Sequence, residues 1–140
     1  MRVLVIDDEP DVLLLCRVNL EFAGHEVLET TDPEQGLAMA AKEHPDLIVL
    51  DVMLPSHDGL SLLEELGELP ETKDVPVVLL TAKAQEDDQL KGWQAGAAEY
   101  VTKPFSPISL TRAVEAVHRM TPAEREERRD QAVAHLVDRP

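Results

Sequence analysis

The sequence predicts an α/β domain built on a five-stranded parallel sheet with helices on both faces. Three observations carry this. The segments Val3-Leu4-Val5-Ile6, Leu47-Ile48-Val49-Leu50 and Val77-Val78-Leu79-Leu80 are apolar at every position. Strands without polar alternation are buried on both faces, as parallel strands are beneath covering helices. Helical periodicity fills the stretches between these runs, and two weaker strand segments, 25–30 and 99–101, complete a fivefold alternation. Such alternation favours right-handed crossovers and a sheet covered on both sides.

The helices follow in order. The first spans Pro10 to Phe22, with Val12, Leu13, Leu15, Cys16 and Leu20 as its apolar set. The second opens at Asp32-Pro33-Glu34-Gln35, where Asp32 is placed to cap, Pro33 suits the first turn and Gln35 can close a capping box. Residues 60–69 give the third helix and 85–95 the fourth. Ser106-Pro107 opens the fifth, with Leu110, Ala113, Val114 and Val117 at helical spacing. A further start at Thr121-Pro122-Ala123-Glu124 predicts a helix running to about Val137. Its first half is charged all round, and Val133, Leu136 and Val137 form its only apolar stripe. The expected division is therefore a domain over 1–120 and a C-terminal helical extension over 121–140. About 20 residues are too few for an independent DNA-binding domain.

Composition narrows the function. The 140 residues carry a net charge of −15, which disfavours direct binding to nucleic acid or to an anionic membrane surface. No apolar run approaches the roughly 20 residues of a membrane span, and the N-terminus lacks the pattern of a signal peptide. The expected location is the cytoplasm. Cys16, the only cysteine, excludes an intramolecular disulfide and a multi-cysteine metal site, and is read as core filling. The five histidines show no metal-ligand spacing.

The polar residues fall in an informative place. Asp7, Asp8 and Glu9 follow the first strand, Asp51 the third, Thr81 the fourth, and Thr102-Lys103-Pro104 the fifth. All stand at the carboxyl ends of parallel strands, where open α/β sheets form their ligand crevice. With strand order 2-1-3-4-5, Asp7, Asp8 and Asp51 converge at the switch point. Three carboxylates in one crevice need a proton or a cation. Mg²⁺ suits an all-oxygen donor set completed by water and phosphate. A carboxylate can act as nucleophile toward phosphorus, and such transfer needs chiefly positioning and neutralisation of charge. Asp51 as acceptor, Asp7 and Asp8 at the metal, and Thr81 and Lys103 at the phosphoryl oxygens make a complete set. Taken singly, each is as well explained as a cap, a turn residue or a solvated charge.

Over about residues 1–120 the sequence resembles the receiver domains of bacterial response regulators. The matching segments are Val3-Leu4-Val5-Ile6-Asp7-Asp8-Glu9, Pro45-Asp46-Leu47-Ile48-Val49-Leu50-Asp51-Val52-Met53-Leu54-Pro55, Asp58-Gly59, Leu80-Thr81-Ala82-Lys83, Gly96-Ala97 and Tyr100-Val101-Thr102-Lys103-Pro104-Phe105. The resemblance implies a flavodoxin-like fold of sheet order 2-1-3-4-5. It implies Asp51 as phosphoacceptor, Asp8 as a direct Mg²⁺ ligand, Asp7 as holder of a metal-bound water, and Met53 as a ligand through its backbone carbonyl. It further implies Thr81 and Tyr100 as switch residues, Lys103 as the phosphate-facing lysine, and a cis bond between Lys103 and Pro104. The donor it implies is a sensor histidine kinase or a histidine phosphotransfer protein. The readout surface is the fourth helix, fifth strand and fifth helix, here including Leu90, Trp93, Tyr100 and residues 106–120, through which a protein target or a second copy can bind.

The expected protein is a stand-alone switch and not an enzyme in the usual sense. An aspartyl-phosphate phosphohydrolase of the haloacid-dehalogenase type is the competing reading. It would carry a second acid where this chain has Met53. A phosphorylation-independent scaffold predicts damage to the acidic set, Thr81 or Lys103, and none is damaged. A flavin module is disfavoured by the acidic Asp7-Asp8-Glu9 loop, which repels phosphate. His57, in the Ser56-His57-Asp58-Gly59 loop, is read as a solvated histidine.

Overall fold

The computed structural model describes residues 1–52, 59–82 and 86–138, with the backbone alone for 86–88. The elements are β1 (Arg2–Ile6), α1 (Pro10–Phe22), β2 (Glu26–Thr30), α2 (Pro33–Glu43), β3 (Leu47–Asp51), α3 (Gly59–Glu68), β4 (Val77–Thr81), α4 (Glu86–Ala95), β5 (Glu99–Thr102), α5 (Pro107–Arg119) and α6 (Pro122–Val137). All strand pairings are parallel, and the order is β2-β1-β3-β4-β5. This is the flavodoxin-like arrangement that the sequence predicts.

Strand alternation divides the core into two layers. Val3, Val5, Leu47, Val49, Val78 and Leu80 face α1 and α5, meeting Leu13, Cys16 and Leu20 on one and Leu110, Val114 and Val117 on the other. Leu4, Ile6, Ile48, Leu50, Val77 and Leu79 face the other way, onto Ala40 of α2 and Leu62, Leu63 and Leu66 of α3. Every residue of β3 and β4 is buried, which is why those runs show no polar alternation. Cys16 is fully buried, and burial pushes its thiol up to about 12, so it is inert core filling.

The structure departs from the sequence expectation in several details. Of the apolar set on α1, Leu13, Cys16 and Leu20 turn inward, while Leu15 is 41% exposed. Asp32 caps α2 by accepting from the Glu34 N–H at 3.0 Å, but Gln35 does not close a box: its Oε1 accepts from the Thr30 hydroxyl at 2.8 Å, tying α2 to the end of β2. Ser106 caps α5 at the Ser109 N–H, and the Thr121–Glu124 box on α6 forms in both directions. Val137 is 58% exposed, and Leu136 alone of the predicted stripe on α6 is buried.

Two glycines permit close approach of helices to the sheet. A Cβ on Gly36 would meet the Ile6 side chain, 2.6 Å from Cδ1 and 2.9 Å from Cγ1, atoms that give more readily than backbone. A Cβ on Gly59 would meet backbone: Asp51 O at 2.6 Å and Val52 Cα and O at 2.7 Å. Gly59→Ala is therefore expected to cost about 2–3 kcal/mol in urea unfolding, the upper part of the range for overpacking. Gly36→Ala is expected to stay within about 1 kcal/mol of the wild type, since alanine regains helix propensity of similar size. Equal losses for the two variants would show that α3 can move off the end of β3 freely.

Candidate functional site

The site is assembled by the carboxyl ends of β1, β3, β4 and β5. Pairing of Ile6 with Leu50 places the residues after β1 beside Asp51, and pairing of Asp51 with Leu80 continues β3 to its final residue. Thr81 ends β4 opposite Thr102 of β5, and the Lys103 N–H donates to the Thr81 carbonyl at 2.8 Å, which aims the lysine back across the sheet. The Asp7 N–H donates to Thr30 O at 3.2 Å, and Val52 N–H to Leu80 O at 3.0 Å, so both carboxylate-bearing turns are anchored to neighbouring strands. The Lys103–Pro104 peptide bond is cis.

Lys103 is the charge centre. Its Nζ lies 2.8 Å from Asp7 Oδ2, 3.3 Å from Asp51 Oδ2 and 3.4 Å from Glu9 Oε1. Asp7 is fully buried and Asp51 and Thr81 are almost so. Oδ1 of Asp7 accepts from the Glu9 N–H at 2.9 Å. Oδ2 contacts the ammonium but accepts no hydrogen bond of ordinary geometry. Burial pushes the Asp7 carboxyl above its ordinary value despite the pull of Lys103 and the Glu9 amide, with the Asp8 charge adding to the rise. Burial acts against the Lys103 ammonium too, but contact with Asp7 and the charges of Asp7 and Asp51 outweigh it, and Lys103 is held above its usual range.

Asp7, Asp8, Glu9 and Asp51 each bring a carboxylate oxygen within 4.8 Å of the others. The fit to a hard divalent cation is good: the donors are all oxygen, one is a buried oxygen without a well-formed hydrogen bond, and the lysine alone does not neutralise four acids. Glu9 was not singled out from the sequence as a member of this set. Its exposure and its place at the start of α1 resemble an ordinary helix cap, and only side-chain positions, among the acidic oxygens and 3.4 Å from Lys103, reveal it. Thr81 shares the α4 face of the sheet with Tyr100, whose ring centroid is 6.0 Å from that of Trp93 and whose hydroxyl occupies the space a Gly92 side chain would need. Met53, Pro55, the Ser56-His57-Asp58 segment, Lys83 and Gln85 lie outside the described residues.

Residues 3–115 match the family model of the response regulator receiver domain. The chain belongs to that family. This receiver domain is 42% identical over 120 residues to the DNA-binding dual master transcriptional regulator RpaA of Synechocystis, covering 86% of this chain and 50% of that protein. It is 42% identical over 119 residues to the phosphate regulon transcriptional regulatory protein PhoB of Pseudomonas aeruginosa, covering 85% and 52%. The receiver thus spans about half the length of these curated relatives. Among solved structures it is similar to the chemotaxis response regulator CheY4 of Vibrio cholerae, with a TM-score of 0.79 at 28% identity over 83% of this chain and 97% of that one. The Francisella response regulator 1452 receiver domain gives 0.78 at 30% identity, covering 84% and 96%. Among the described residues, no helix of the receiver is long and apolar enough to cross a membrane.

Proposed function

We propose that this receiver domain takes a phosphoryl group on Asp51 and uses it to control protein contacts. The observation that carries the reading is the buried Asp51 carboxylate held 3.3 Å from Lys103 within a cluster of acidic oxygens. An Asp51 oxygen attacks phosphorus, the bond from phosphorus to the leaving group breaks with its electron pair on that group, and an aspartyl phosphate results. Lys103 faces the negative charge of the incoming phosphoryl oxygens, and Thr81 offers its hydroxyl to one of them. Asp7, Asp8 and Asp51, with the Met53 backbone carbonyl, would hold Mg²⁺, which when bound supplies the remaining positive charge in a site that otherwise repels phosphate. The donor is a sensor histidine kinase or a histidine phosphotransfer protein. Output is a population shift: Thr81 and Tyr100 rearrange together, and the surface of α4, β5 and α5 changes its affinity for a protein target or a second copy. In this reading residues 1–120 are the switch and 121–140 an extension of it.

Turnover of the phosphohydrolase kind is disfavoured, since the second acid such enzymes carry two positions after the acceptor is replaced here by Met53. The test is chemical. Protein labelled from radioactive acetyl phosphate with Mg²⁺ is expected to lose its label to neutral hydroxylamine, as acyl phosphates do. A label that resists hydroxylamine would place the group on a hydroxyl, and the Asp51 reading would fail.

A further inference from the structure

α6 packs along α4, and among the described residues three of its arginines reach across to the domain. Arg129 donates from Nε to Ala97 O and from its terminal nitrogen to Gly96 O, both at 3.1 Å, fastening the turn between α4 and β5. Arg125 donates to Val117 O of α5 at 3.1 Å. Arg128 pairs with Glu99 of β5 and stands 5.8 Å over the Trp93 ring. Leu136, seven residues beyond Arg129 and so about 10 Å further along the helix, is the one buried side chain of α6.

The contacts of Arg128 flank Tyr100. Trp93 neighbours both the Tyr100 ring, 6.0 Å away centroid to centroid, and the Arg128 guanidinium. Glu99 accepts the Tyr100 N–H at 2.9 Å with one oxygen and pairs with Arg128 through the other. One arginine of α6 therefore touches both residues that flank the proposed switch tyrosine, one through space and one along the strand. Among the described residues, arginine hydrogen bonds to backbone carbonyls, one ion pair and one buried leucine hold α6 in place. Exposed ion pairs contribute little each, and a terminal helix is an element that can open locally without the rest of the fold.

We propose that α6 is a built-in cover for the α4–β5 output face, and that phosphorylation of Asp51 releases it. This deepens the function proposed above and rests on it. The direction follows from the proposed output face. If output is read from α4, β5 and α5, the part of that face formed by Trp93 and Glu99 is available to a partner only once α6 has left. The phosphorylated state must then favour the undocked helix. Coupling is reciprocal: whatever loosens α6 must favour phosphorylation by the same factor.

The test uses the whole chain. Protein is incubated with Mg²⁺ and acetyl phosphate, and one sample is split for intact mass and for hydrogen–deuterium exchange over residues 122–138. In adduct-bearing protein the α6 amides are expected to exchange about fivefold faster or more, the lower end of ordinary allosteric coupling. Arg128→Ala is expected to exchange fast without phosphorylation and to reach half-maximal adduct at a correspondingly lower acetyl phosphate concentration. Leu136→Asp provides a second, independent way of undocking the helix. An adduct with α6 protection unchanged or increased would overturn the cover while leaving the phosphoacceptor reading intact. No adduct at all would overturn that reading, and the cover with it.

Discussion

Replacing Lys103 with methionine is expected to destabilise the metal-free protein by about 3 kcal/mol at pH 7 and to slow phosphoryl uptake by about 10²–10³-fold. The first effect follows from burial. Asp7 has no solvent contact and Asp51 almost none, and among the described residues Lys103 is the cation paired with both. Removing one partner of a buried ion pair leaves an uncompensated charge, at a cost of about 3–5 kcal/mol. The lower figure applies here because Lys103 keeps some solvent contact, its side chain being 13% exposed. The second effect is of the size found when one preorganised charge-stabilising group is removed from a transition state. Urea unfolding and the rate of adduct formation measure the two. Unchanged stability would mean that the site tolerates its acids without the lysine.

Asp7→Asn is expected to act with the opposite sign on stability. The Asp7 carboxyl titrates above its ordinary value because burial disfavours its charge. A carboxyl raised in the folded state favours folding only while protonated. That contribution is complete below the unfolded value, lost as pH rises through the folded value, and absent at neutral pH. Asparagine removes the buried charge, keeps an oxygen to accept the Glu9 N–H, and leaves Lys103 paired with Asp51 and Glu9. The metal-free variant should melt a few degrees higher than the wild type at pH 7, with the advantage vanishing toward pH 3.8 and below. The wild type should gain about 1.4 kcal/mol from Mg²⁺ at ten times its dissociation constant. Asp7→Asn should gain far less, because the metal loses a charged donor. Thermal unfolding with and without Mg²⁺ across pH 4–8 checks both. A variant that melts lower than the wild type throughout would show that the Asp7–Lys103 contact outweighs the burial of the charge.

The strands at the centre of the sheet were legible because burial on both faces leaves no polar alternation to confuse with a surface helix. Their ends were less so. Asp51 and Thr81 follow the apolar runs in sequence, and pairing with Leu80 and Thr102 makes each the last residue of its strand. That pairing fixes the positions of the site groups more tightly than a loop would. Asp7, Asp8, Asp51 and Lys103 were legible as a set because the crevice of such a sheet is known once the strand ends are. The approach of Glu9 to the lysine was not, since it depends on a side-chain distance. Gln35 shows how a local rule fails: the capping pattern was present, but the Thr30 hydroxyl, five residues back, took the side chain instead. α6 shows the same on a larger scale. The short apolar stripe left its packing partner open, and three arginines reach carbonyls, a carboxylate and an aromatic ring, partners that hydrophobic periodicity does not report.

The central claim is that Asp51 accepts a phosphoryl group in a metal-dependent way. Intact mass spectrometry after incubation with acetyl phosphate tests it, comparing wild type with Mg²⁺, wild type with chelator, and Asp51→Asn with Mg²⁺. The expected result is one phosphoryl adduct in the first sample and none in the other two. An adduct of equal size in Asp51→Asn, or none in folded wild type with Mg²⁺, would contradict the account.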